Sequence, residues 1–311
     1  MNTKKYAENL SYRSISDELK KIYGSKVYKL SLSSGCTCPN RDGSISYGGC
    51  SFCSEGGSGD FAAPFLPLDE QLRLAKEKIE AKLPKNLKEK DRKYIAYFQS
   101  FTNTYGDTLR LESLYTEAVN REEIVILSVG TRPDCLEDDK LEMLTRLNKI
   151  KPVWVELGLQ TIHEATAERI NRGYVLPVFE DAYERLTAAG LKVIVHVILG
   201  LPGESREDML GTVSYLAGLS PVLFGIKLQL LHVLKGTRLA SEYEAEPFKI
   251  MSLEEYAETV VECIKLLPEE TIIHRITGDG PKSLLIEPAW SADKKKVLNT
   301  LNRKIREAGI K

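Results

Sequence analysis

Four of the six cysteines of this 311-residue chain fall within residues 35–60, GCTCPNRDGSISYGGCSFCSEGGSGD. Cys38, Cys50 and Cys53 stand in the pattern C-x11-C-x2-C, with Phe52 inside the last pair. Three thiolates can hold a [4Fe-4S] cluster and leave one iron without a protein ligand, whereas four would close the site. An open iron takes a substrate or cofactor, as catalytic zinc sites keep one position free. The glycines of the stretch, among them Gly49, Gly57 and Gly59, let backbone turn tightly and approach a bound group. Cys36 leaves a second reading open, a closed zinc knuckle with four thiolates. Its C-x-C end is shorter than the spacing of about two to four residues usual between paired zinc ligands.

Such a loop needs a scaffold, and the rest of the chain supplies one. Apolar residues make up 42% and charged residues 28%, ordinary for a globular protein of one large α/β domain or two small ones. No apolar run is long enough to cross a membrane, and the first ten residues lack the apolar core of a signal peptide. A cytoplasmic protein is expected, in which clustered thiols are metal ligands rather than disulfides, with Cys135 and Cys263 as buried spares. The net charge of −1 argues against a nucleic-acid binder working through an overall positive field, and leaves room for local basic patches.

Apolar strands and amphipathic helices alternate every 30 to 40 residues or so, the sign of βαβ units and a parallel sheet. Strands are expected at residues 27–32, 94–101, 124–129, 153–159, 193–199 and 225–231. Six units predict a partial (β/α)6 TIM-like barrel with a C-terminal α-rich extension. The corresponding division is 1–22 as an N-terminal helical segment, 23–245 as the core and 246–311 as the extension closing the barrel. In parallel α/β folds, ligands sit at the carboxyl ends of the strands. The cysteine loop, QSFTNT, GTRPD, ELGLQT, GLPGE and HVLKGT all fall at those ends, on one rim.

Near the strand ends lie Arg132, Lys227, His232, Lys235, Arg275 and Asp279. The cations suit a carboxylate or phosphate substrate, and His232 can move a proton near neutral pH. Arg132, Lys227 and His232 are the candidate catalytic residues. His196, inside an apolar strand, is expected in the barrel interior, and His163 at the start of a helix. His274 and Arg275 are polar residues within an apolar run and require partners if buried. Residues 76–93, dense in lysine and glutamate, read as a solvated helix end and loop. A last helix over 293–308 carries Lys294, Lys295, Lys296, Arg303, Lys304 and Arg306, a candidate phosphate contact.

The loop CPNRDG…GGCSFCSEGGSGDF resembles the radical S-adenosylmethionine (SAM) enzymes, specifically the YtqA/YhcC-type family, which is distantly related to the Elongator catalytic subunit. The similarity extends through TNTYG, TRPDCL, WVELGLQT, GLPGE, LLHVLKGT and HRITGDGP, nearly the whole chain. It departs at Cys36, where the family usually carries an aromatic residue.

The resemblance implies the radical SAM partial barrel, a [4Fe-4S] cluster on Cys38, Cys50 and Cys53, and SAM on the open iron. Phe52 would lie against the adenine. The backbone of residues 56–59, with Gly57 and Gly59, and the side chains of Gln99, Thr102 and Asn103 would meet the methionine end. Glu156 and Gln160 would meet the ribose or the amino acid, and the turn from Gly200 to Gly203 the adenine. An electron donor of the flavodoxin or ferredoxin type is implied. So is a tRNA substrate, whose wobble uridine would lose the carboxymethyl part of a carboxymethylaminomethyl group to leave aminomethyl. Two alternatives stand beside it: a radical SAM enzyme of a small metabolite, and a zinc-binding interaction module using Cys36.

Overall fold

Among the described residues ten strands run in chain order as β1 (Arg13–Ser14), β2 (Val27–Leu32), β3 (Lys93–Phe98), β4 (Ile124–Thr131), β5 (Val153–Gln160), β6 (Lys192–Leu199), β7 (Gly225–Leu230), β8 (Val233–Leu234), β9 (Ile272–Arg275) and β10 (Leu285–Glu287). The computed structural model describes residues 12–57, 59–84, 87–278 and 280–310. Residues 1–11 of the expected N-terminal segment, and Asp279, lie outside that range. Strands rich in Val, Ile and Leu, such as β6 with KVIVHVIL, are buried on both faces because helices cover the sheet.

The helices are α1 (Ile15–Tyr23), α2 (Leu68–Glu80), α3 (Thr108–Val119), α4 (Asp138–Asn148), α5 (Glu164–Arg169), α6 (Leu176–Ala188), α7 (Arg206–Ala217), α8 (Arg238–Ala245), α9 (Leu253–Leu266) and α10 (Lys294–Glu307). Their starts are fixed locally. Asp107 caps α3, and Ser205 with Asp208 and Ser252 with Glu255 form capping boxes on α7 and α9, satisfying amide groups that have no partner inside the helix.

Eight strands pair in the order β1-β9-β7-β6-β5-β4-β3-β2, every neighbouring pair parallel, and β8 and β10 form a separate antiparallel ribbon. The ends β1 and β2 do not pair with each other, so the sheet is the open, partial barrel expected. Six consecutive strands of it, β7 to β2, are those expected from the sequence. The two additions, β1 and β9, are too short for a periodic pattern to announce them, and they pair with each other across more than two hundred residues of chain. The run at 272–275 therefore extends the sheet itself beside β7.

No helix of the described residues is long and apolar enough to cross a membrane. Cys263 is fully buried in the core, as its helical spacing predicted.

Candidate functional site

Between β2 and α2 the chain makes a long excursion, residues 33–67, which carries the cysteines over the carboxyl ends of the strands. Hydrogen bonds to chain distant in sequence pin it there. Asn40 Nδ2 donates to the carbonyls of Asn171 (2.6 Å) and Arg172 (3.1 Å), and Asn171 Nδ2 donates to the Gly49 carbonyl (2.9 Å). The amide of Ser51 donates to the Ile170 carbonyl at 2.9 Å. Asn171 adopts a positive φ of 55°, the left-handed region that asparagine tolerates better than most residues. Gly57 also has a positive φ, of 56°, and a Cβ there would stand 2.2 Å from the Phe101 ring, so only glycine permits this crossing of two rim loops.

Cys38, Cys50 and Cys53 all line one cleft of ≈ 220 Å³. Hydrogen bonding with Cys53 and burial push the Cys50 thiol well above its ordinary value, so loading a metal must expel protons from this group. No three His, Cys, Asp or Glu side chains among the described residues converge on a single ion. A four-iron cube asks for something else, one thiolate on each of three separate irons. Three cysteines around a cleft, close-packed glycine turns and room beneath them fit that group and a flat cofactor.

Cys36 does not join them. It is 8% exposed, packs in the core, and its sulfur lies 3.3 Å from Arg110 Nη2. The fourth thiol of a zinc knuckle therefore points elsewhere.

Of the other expected residues, Phe52, Gly57, Gln99, Thr102, Glu156 and Gln160 line the cleft, together with Arg132, Lys227, His232 and Arg275. Four do not. Asn103 is fully buried behind the rim, donating to the carbonyls of Phe98 (3.0 Å) and Gly130 (2.8 Å), so it clamps the ends of β3 and β4. Gly59 packs against Ser100, whose Oγ lies 2.1 Å from where a Cβ would stand. Gly200 and Gly203 have φ of 89° and 90° and shape the turn after β6. Lys235 also lies off the cleft, its amide bonded to the Leu284 carbonyl.

Gln160 ends β5 with a φ of 66°, and its side chain folds back across Gly158, where a Cβ would come within 2.6 Å of Nε2. A non-glycine residue in this conformation marks backbone held by its surroundings for a purpose at the site. Arg132 is braced, with Nε and Nη2 on Asp134 (2.8 and 2.7 Å) and Nη1 on the Arg172 carbonyl (2.8 Å). His232 Nε2 lies 3.1 Å from Ser291 Oγ, which ties the rim to the C-terminal segment.

The floor of the cleft is a buried polar network centred on Glu156. Oε1 accepts from Lys29 Nζ (3.2 Å) and Ser128 Oγ (2.9 Å), while Oε2 accepts from Lys227 Nζ and meets His196 Nε2 at 2.7 Å. Lys227 Nζ also donates to the Tyr97 hydroxyl at 3.2 Å. Burial alone would raise the Glu156 carboxyl, yet the ammonium groups of Lys227 and Lys29 hold it well below its usual range. Burial, followed by the Lys227 charge, pushes His196 down to about 4, so it is neutral as the barrel-interior expectation required. Burial likewise pushes Lys227 well down, opposed by Glu156 and reinforced by Lys29 and Arg275. His274 breaks the expectation for buried polar groups. It packs edge-on to Trp154 at 5.1 Å, neither ring nitrogen has a hydrogen-bond partner, and burial holds it neutral.

Sequence reasoning missed Lys29, Tyr97 and Phe101, which build the floor and wall, and Arg172 with Tyr174. Arg172 is 1% exposed and donates to the carbonyls of Thr161 (2.7 Å) and Tyr174 (2.9 Å), under the segment that holds the cysteine loop. The available signal was an arginine and a tyrosine flanking a glycine, N-R-G-Y, directly after a short helix.

Comparison with known proteins follows these features. The family model described as "Radical SAM superfamily" matches residues 32–216, and "Radical_SAM C-terminal domain" matches residues 224–307. The uncharacterized protein YtqA of Bacillus subtilis is 41% identical over 309 residues, 99% of this chain and 92% of that protein. Protein YhcC of Escherichia coli is 38% identical over 294 residues, 94% and 92% of the two chains. The solved structure of an archaeal Elp3, from Methanocaldococcus infernus, superposes with a TM-score of 0.60 at 19% identity, over 87% of this chain and 63% of that one, a likeness of fold.

Proposed function

This chain belongs to the YtqA/YhcC family of radical SAM enzymes, with a [4Fe-4S] cluster and SAM as its cofactors, and from that premise we propose that it acts on the wobble uridine of tRNA. The reaction proposed converts carboxymethylaminomethyl(thio)uridine to aminomethyl(thio)uridine. The observation that supports it is a cleft of ≈ 220 Å³ lined by the three cysteines and, beneath them, by a charged, buried floor with cations suited to a carboxylate.

Cys38, Cys50 and Cys53 would hold the cluster. When bound, the cluster and SAM supply a 5′-deoxyadenosyl radical that can take a hydrogen atom from carbon. Phe52, Gly57, Gln99, Thr102 and Gln160 line the wall on which SAM would rest. Asn103, Gly59, Gly200 and Gly203 shape the loops behind that wall. Arg132, locked on Asp134, keeps the mouth rigid and its charge near the thiolates. His232 is placed to hold or pass a proton close to the substrate. The carbon attacked would be the one between the amine nitrogen and the carboxylate, because both neighbours stabilise a radical there. Loss of a second electron, for which the cofactors would supply the acceptor, would leave an imine whose hydrolysis breaks the C–N bond and releases the two carbons as glyoxylate.

A cytoplasmic setting and an electron donor of the flavodoxin or ferredoxin type complete the proposal, with six cysteines outside any disulfide in keeping with a reduced compartment. Mass spectrometry of tRNA from a deletion strain tests it. Carboxymethylaminomethyluridine should accumulate at the expense of its aminomethyl derivatives, and an unchanged wobble-uridine profile would sink the reading.

A second reading, a small metabolite bearing the same chemical unit, draws support from α10. There Arg303 is paired with Glu307 (3.0 Å) and Lys304 with Glu258 (2.8 Å). Binding of tRNA that weakens steeply with salt favours the RNA; absence of binding favours the metabolite.

A further inference from the structure

Two ammonium groups, those of Lys29 and Lys227, share the single carboxylate of Glu156. They approach it differently. Lys227 lines the cleft and is 2% exposed, while Lys29 does not line it and reaches the other oxygen, Oε1, from outside; both ammonium groups lie over the Tyr97 ring, at 4.6 and 4.9 Å. Glu156 has no acceptor capacity left for a ligand, since each oxygen already meets two groups. The neighbouring strand adds a further cation to the same floor, because Arg275 is level with Lys227 and lines the cleft. Lys227 stands three residues before the end of β7, about 10 Å below the rim. That is a layer beneath the cysteines and the wall residues.

An ammonium on a cavity floor whose partner carboxylate is already neutralised from the far side is a receptor for a second anion. We infer that Lys227, whose counter-charge Glu156 is shared with Lys29, receives the carboxylate of the substrate at the barrel floor, with Glu156 and Lys29 as positioning residues. The ligand class is an N-substituted glycine: a compact carboxylate one carbon from an amine. Charge-assisted hydrogen bonds to an ammonium in a water-poor site hold such a group in one place. That placement leaves the glycine carbon above Lys227, facing the mouth. Lys29 does its part through Glu156, by supplying the charge that Lys227 would otherwise supply alone.

The inference rests on the proposed reaction only for the identity of the whole substrate, so its test uses a small probe. Full-length protein, anaerobically loaded with its cluster and saturated with SAM, is unfolded thermally against N-methylglycine and against N-methylaminoethanol, which lacks the carboxylate. N-methylglycine should raise the melting temperature in proportion to its occupancy, and the alcohol should not. Lys227→Met should weaken the probe about tenfold or more, Lys227→Arg should lose less, and Lys29→Met should weaken it by a smaller factor.

Equal shifts from both compounds, or unchanged N-methylglycine affinity in Lys29→Met and Lys227→Met, would overturn the subsite. So would a Lys227→Met protein that loses SAM affinity instead, since the carboxylate received would then be that of SAM. If Lys227→Met does not fold, the two-compound comparison and Lys29→Met, whose side chain is 26% exposed, still decide. Probe binding that depends on Lys227 in a protein without activity on tRNA would uphold the subsite and remove only the RNA reading.

Discussion

The mouth and the floor of the one cleft are built in opposite ways. The mouth is mostly a single stretch of chain, residues 33–67, in which Cys38, Cys50 and Cys53 are separated by eleven and two intervening residues and whose conformation depends on glycines with positive φ. The floor takes Lys29 from β2, Tyr97 from β3, Ser128 from β4, Glu156 from β5, His196 from β6 and Lys227 from β7, one side chain per strand. The mouth brings together three thiols, and that of Cys50 is pushed well above its ordinary value by its hydrogen bond with Cys53 and by burial. The floor is a network closed by hydrogen bonds around one carboxylate, every partner a side chain of the protein itself. A region that binds a cofactor is thus left with chemistry to complete, and the region beneath it is rigid beforehand, which is what orients a substrate.

The sharpest way to separate the two is to damage each in turn. Cys38→Ala should abolish cluster loading and SAM cleavage, read as iron content and 5′-deoxyadenosine, with little change in the fold's stability. Retained iron and activity would mean that Cys38 is not a ligand. Glu156→Gln should do the reverse, leaving Lys227 buried without its counter-charge and costing about 3 kcal/mol or more in denaturant unfolding, with cluster loading retained.

A pH series probes the floor more gently. His196 is held neutral with its pKa pushed down to about 4 by burial and by Lys227, against an ordinary value of 6.5. The unfolded chain therefore binds the proton first as pH falls. Stability is complete above pH 6.5 and declines toward pH 4, by about 2 to 3 kcal/mol from this residue. In His196→Asn that part of the slope should vanish, whereas an unchanged slope would place its origin elsewhere. The smallest effect is expected for Cys36→Ala. The thiol is buried at the edge of the core beneath the exposed Arg110, so about 1 kcal/mol of stability and none of the iron should be lost. Loss of metal would restore the zinc knuckle.

This contrast also explains what could be read in advance. Six of the eight sheet strands and the positions of the three cysteines follow from local pattern, since strand periodicity and ligand spacing live within a few residues. Asn103 was misleading for the same reason. It lies in a rim motif, yet its amide turns inward to carbonyls of two strands. Lys29 gave no signal at all, being one lysine in VYKLSL, and its meaning comes from a glutamate 127 residues later. Arg172 resembles a surface residue until the structure buries it beneath the cysteine loop.

The sequence by itself determined the family, the parallel α/β scaffold and the rim on which the motifs lie, because each is a matter of residue type at short, regular spacing. Only the tertiary structure decided that Cys36 turns away from the other three, that β1 and β9 complete the sheet, and that Glu156 is shared by two lysines. Those are facts of distance between residues far apart in the chain, and a buried charge is defined by what surrounds it rather than by its neighbours in sequence.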